Sequence, residues 1–93
     1  MSGERFDSVW DAIEDTPALA ENMKLRSMLM RILNDHIKAE GWTQAHAAAQ
    51  LGVTQPRISD LMRGKIDLFG LDALVTMLSA AGLRLEVHVA RAA

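Results

Sequence analysis

The chain has 93 residues and no cysteine, enough for one small domain with a single core, and thiolate and disulfide chemistry are excluded. The net charge of −2 speaks mildly against a nucleic-acid partner, but it is unevenly spread: residues 1–40 hold eight acids and five bases, residues 41–93 four acids and five bases. No apolar run is long enough to span a bilayer, and the acidic first residues lack a signal-type apolar core, so a cytoplasmic protein is expected.

Residues 1–16 read as an acidic N-terminal segment in which Phe6, Val9, Trp10 and Ile13 fall at helical spacing. Trp10 is either an anchor for a partner or packs back onto the domain. A domain is expected over 17–82. Thr16 and Pro17 form a cap and a first helical position. The good helix formers up to Glu40 carry an apolar face of Leu25, Met28 or Leu29, Ile32 or Leu33, and Ile37, ended by Gly41. That stretch suits one long helix or two meeting near residues 21–24.

Residues 43–61 then read Thr-Gln-Ala-His-Ala-Ala-Ala-Gln-Leu-Gly-Val-Thr-Gln-Pro-Arg-Ile-Ser-Asp-Leu. Thr43 caps a helix whose inner face Ala45, Ala48 and Ala49 keep small, and Gly52 stops it. Thr54 or Gln55 opens a second helix, with Pro56 favouring Gln55 as cap. Ile58 and Leu61 bury this helix, and Gly64 closes it. Gln55, Arg57, Ser59 or Asp60, and Arg63 stay outward. Two packed helices of a bundle would also fit. The short turn, the small Ala48, and an outward face of amides and guanidinium groups favour a helix-turn-helix.

A connector over 66–69 leads to a last helix over 70–81, with Leu71, Leu74, Val75 and Leu78 apolar and Gly82 at its end. The tail, 83–93, changes period. Leu83, Leu85, Val87 and Val89 alternate with Arg84, Glu86 and His88, which is a strand pattern. A strand needs a partner. The candidates are residues 5–10, or the same strand of a second copy in a dimer. An antiparallel pair centred on Leu85 sets Arg84 against Glu86, and one centred on Val87 sets Glu86 against His88. Centring on Glu86 opposes two carboxylates, which is unfavourable.

The run Gly-Trp-Thr-Gln-Ala-x-Ala-Ala-x-x-Leu-Gly-Val-Thr-Gln-Pro-Arg-Ile-Ser-Asp-Leu-x-Arg-Gly-Lys resembles the phage-repressor helix-turn-helix, the Cro/C1 or XRE family, over residues 25–81. The segment 68–71 and the final Ala-Ala-Gly-Leu-Arg-Leu-Glu-Val-His-Val look most like HigA-type antitoxins. The resemblance implies a mainly α, five-helix lambda-repressor-like domain with a C-terminal β-strand pairing in a homodimer. It implies base reading by Gln55, Arg57, and Ser59 or Asp60. It implies contacts to the DNA backbone by Thr43, Gln44, Thr54, Arg63 and Lys65. Pro56 departs from the pattern, since many relatives carry a polar base reader there. Arg57 is therefore expected to read before Gln55. Asp60 either accepts from a cytosine amine or holds Arg57 or Arg63.

The implied function is repression through a palindromic operator on double-stranded DNA, with autoregulation and neutralisation of a RelE-like (HigB-type) toxin. The alternatives are a regulator without a toxin, or a protein-interaction module that uses the fold without DNA. No catalysis, cofactor or metal site is expected. His36, His46 and His88 lie on separate elements without ligand spacing, and no nucleophile accompanies Glu14, Asp15, Asp35 or Glu40. The methionines read as gap fillers, and Trp42 as a residue packed on the core.

Overall fold

A computed structural model describes residues 16–91. The acidic segment with Phe6, Val9, Trp10 and Ile13, and the pairing of residues 5–10 with the tail, lie outside the described residues. Within them are four α-helices: α1 (Pro17–Glu40), α2 (Gln44–Leu51), α3 (Gln55–Met62) and α4 (Leu71–Ala80). A 3₁₀ turn (Ile66–Leu68) joins α3 to α4. No helix among the described residues is long and apolar enough to cross a membrane.

Helix α1 starts where the sequence predicts. Thr16 Oγ1 accepts the Leu19 N–H at 3.2 Å, and Pro17 occupies the first turn, where its missing N–H costs nothing. The helix is continuous through 21–24. That stretch contains no glycine or proline, and Arg26 Nε donates across one turn to Asn22 Oδ1 at 2.6 Å. Leu29, Met30, Leu33 and Ile37 form its buried stripe. Leu25, Met28 and Ile32 form a second stripe that is 40 to 45% exposed. The helix is thus apolar on two faces, and only one of them meets the core.

The buried faces of the short helices differ from the predicted ones. In α2 the inner residues are Ala47, Ala48 and Leu51, while Ala45 and Ala49 are exposed. Leu51 is the one large apolar residue of α2, and the positions three and four before it turn inward with it. In α4 Leu74, Met77 and Leu78 are buried, whereas Val75 faces out. The connector supplies Phe69, the largest fully buried side chain, worth roughly 1.5–3 kcal/mol over an exposed one. Trp42 packs against the core from its rim, its ring meeting His36 and His46 edge-on at 5.3 and 5.5 Å between centroids.

The predicted five helices and C-terminal strand are corrected to four helices and no strand among the described residues. The Leu83 N–H closes α4 on the Leu78 carbonyl at 3.0 Å, and Leu83 packs on the core. From Arg84 onward the tail is exposed, Val89 to 93%. A ladder requires a second extended segment alongside, and no described part of the chain provides one. Arg84 instead meets Glu86 of its own chain at 3.8 Å, both side chains being open to solvent.

Candidate nucleic-acid interface

The α2–α3 pair is built around a three-residue turn, 52–54. Gly52 sits at φ +70°, the left-handed conformation that a side chain would strain, and its N–H returns to Ala48. The Val53 N–H also bonds the Ala48 carbonyl, at 3.0 Å, which reverses the chain within a few residues. Thr43 and Thr54 cap the two helices. Their hydroxyls accept from the His46 N–H at 3.1 Å and the Arg57 N–H at 3.4 Å. Thr54 is therefore the cap of α3, not Gln55. Pro56 falls on the second helical residue, where its missing N–H is one that the first turn cannot use anyway.

These caps place Gln44 and Gln55 at the exposed first positions of α2 and α3. Helix N-termini attract anions through free amides and the macrodipole. Ile58 and Leu61 are fully buried, so the opposite side of α3 presents Pro56, Ser59 and Asp60, with Arg63 at its end. Gln55 borders that face.

Arg57 takes a different position. It stands one turn before Leu61, on the flank of the buried face, and is half-buried. Its guanidinium lies over the Phe69 ring at 4.1 Å and donates through Nη1 to the Leu68 carbonyl at 2.6 Å. The group expected on base edges is thus engaged with the 3₁₀ turn. Asp60 holds neither Arg57 nor Arg63. It pairs with Lys65 at 3.4 Å, the residue that also closes the helix end by donating its N–H to the Asp60 carbonyl at 3.1 Å. Arg63, exposed at the C-cap, keeps its charge toward solvent.

Sequence reasoning missed one positioning residue. Asn34 of α1 donates from Nδ2 to the Leu61 carbonyl at 3.2 Å, across 27 positions. Leu61 lies in the last turn of α3, where carbonyls have few helical partners, so this bond ties α1 to the end of α3. The available signal was a polar residue beside Leu33 and one turn after Met30, within the buried stripe. No local signal connects Arg57 to Phe69, because the contact depends on how the 3₁₀ turn folds back.

A second surface is apolar. A groove of about 440 Å³ runs between α1, α4 and the tail, with Leu25, Met28, Ile32, Val75, Leu85 and Val87 in its lining. All six are large apolar side chains left exposed by the core.

A family model described as a helix-turn-helix domain matches residues 12–90. One similar solved structure is of a chain assigned to the XRE family of transcriptional regulators. The two are 33% identical with a TM-score of 0.73, and the match covers 78% of this chain and 82% of that one. No curated protein matches the sequence.

Proposed function

The chain belongs to the helix-turn-helix domain family, of XRE type, and on that premise we propose that it is a transcriptional repressor that binds a palindromic DNA operator as a homodimer. The observation that carries this reading is the exposed side of α3. Its buried face is Ile58 and Leu61, and its outer face offers the Ser59 hydroxyl, the Asp60 carboxylate and the Arg63 guanidinium, with the Gln55 amide at its border, where a major groove could receive them. Gln55 and Ser59, one turn apart, read base edges. Gln44, Thr43, Thr54 and Arg63 hold the backbone, with Lys65 available once it exchanges Asp60 for a phosphate. Arg57 anchors α3 on the 3₁₀ turn instead of leading the base readout.

The basic face is small, so affinity rests on two copies. The apolar groove supports this, because an exposed apolar patch rimmed by polar residues marks an interface. The alternating tail runs along its edge. An antiparallel pairing of two tails centred on Leu85 places Arg84 opposite Glu86 of the partner subunit and sets the apolar positions of both tails over the groove. To bind two half-sites such a dimer has to set its two α3 helices about 34 Å apart, one turn of DNA.

The antitoxin role is the finer part of the proposal. The resemblance of residues 68–71 and of the tail to HigA-type proteins supports it. The dimer would repress its own operon and hold a RelE-like toxin inactive.

Two measurements test these levels separately. Operator affinity followed across salt concentration should fall steeply, as expected when several phosphates are neutralised. A chain that binds no DNA, or binds it without salt dependence, would be an interaction module instead. Co-expression with the product of the adjacent gene should relieve that product's toxicity and give a stable complex. Failure there leaves a regulator without a toxin.

A further inference from the structure

Outside the helix-turn-helix, a second group of positive charges lies on α1. A cleft of about 420 Å³ separates α1 from the turn that follows α3. Arg31, Asn34, Asp35 and Lys38 line one wall, and Gly64 and Ile66 the other. Arg31 and Lys38 are two helical turns apart, so they share a face roughly 10 Å long. Among the described residues, neither makes an ion pair or a side-chain hydrogen bond. Lys65, by contrast, is tied to Asp60. Asp35 is the one acid in the lining, which leaves the cleft net positive.

The position of the cleft matters as much as its charge. Gly64 stands between Arg63 and Lys65, so the cleft continues the candidate interface. A Cβ on Gly64 would meet nothing within 4 Å, so the rim is open and a ligand backbone can approach closely. The bond from Asn34 to the Leu61 carbonyl also fixes this wall of α1 to the end of α3. A contact made by α1 is therefore in fixed register with α3.

We infer that Arg31 and Lys38 form a phosphate-holding row on α1 that binds the phosphodiester backbone of DNA beside the Gly64 turn. The inference rests on the operator-binding function proposed above. Phosphates of one strand advance about 3.4 Å each along the axis while turning around it, which sets neighbours roughly 7 Å apart, so a face of this length reaches about two of them, one for each residue. The row adds affinity and fixes register without reading sequence. It also supplies, from outside the helix-turn-helix, positive charge that α3 largely lacks.

The test is operator binding by the full chain over a series of salt concentrations. Replacing both residues (Arg31→Ala with Lys38→Ala) removes four contacts from a dimer. The slope of log K against log salt should become shallower by about 3.6, at about 0.9 per phosphate. The ratio of affinities for the operator and its single-base variants should stay the same. Asp35→Asn, which removes the opposing acid, should tighten binding. Lys24→Ala, on α1 outside the cleft, should leave the slope unchanged. A double variant that melts like the wild type and keeps the wild-type slope overturns the inference while operator binding stands. If the double variant fails to fold, unchanged affinity in Asp35→Asn overturns it instead. A wild-type chain that binds no DNA overturns both.

Discussion

Replacing Arg57 with alanine separates an anchor from a base reader. In the structure the guanidinium gives its Nη1 proton to the Leu68 carbonyl at 2.6 Å and covers the Phe69 ring at 4.1 Å. A hydrogen bond from a charged donor is worth about 1.5–3 kcal/mol when both groups are shielded. Here Leu68 is exposed and Arg57 half-buried, so water replaces much of that bond and roughly 0.5–1 kcal/mol is retained. The stacking adds about 0.5–1 kcal/mol at a site of this exposure. The expected loss is therefore about 1–2 kcal/mol, or a Tm lower by roughly 5–15 °C in a domain of this size. Arg57→Lys should recover little, since an ammonium has neither a planar face for Phe69 nor the same fork of donors. The assay pairs thermal unfolding with binding to an operator and a panel of its single-base variants. As an anchor, Arg57 weakens binding to every sequence by the same factor when removed. The reasoning is refuted if Tm stays within about 2 °C and discrimination at one base pair drops by about tenfold, near 1.4 kcal/mol.

Gln55→Ala should act in the opposite sense, leaving Tm near wild type and costing about 1–3 kcal/mol of discrimination at one position of each half-site. The same operator panel measures it. Asn34→Ala removes the side-chain bond from α1 to the Leu61 carbonyl, which keeps its bond from the Gly64 N–H at 3.1 Å. A destabilisation of about 1 kcal/mol is expected in denaturant unfolding, with the midpoint lowered and the m-value unchanged. Deleting residues 84–93 keeps Leu83 and its bond to Leu78, so the domain should stay folded while sedimentation shows a monomer with weak operator binding. A dimer that survives the deletion would move the interface away from the tail.

Much of the local structure was legible in the sequence because its causes are local. Thr16, Thr43, Gly41, Gly52, Gly64 and Gly82 mark helix ends through a side-chain cap or a left-handed φ, and neither requires knowledge of distant residues. Thr54 against Gln55 was harder. Proline is acceptable at either of the first two helical positions, and the structure decided it through a hydroxyl bond to the Arg57 N–H. On α1, periodicity pointed to an apolar face but could not choose between Met28 and Leu29 or between Ile32 and Leu33. Two adjacent stripes were both apolar, and only the docking of α2, α3 and α4 selects which one is buried.

By itself, then, the sequence determined the helix-turn-helix, its turn, and the outward set on α3 apart from Arg57, since short-range bonds and a 3.6-residue period suffice for these. The tertiary structure decided what the charged and polar groups do. Arg57 is directed to Phe69, Asp60 to Lys65, and Asn34 to the end of α3. These contacts reach beyond the element that carries each side chain, and a polar group found by spacing alone has no direction until the elements that receive it are packed.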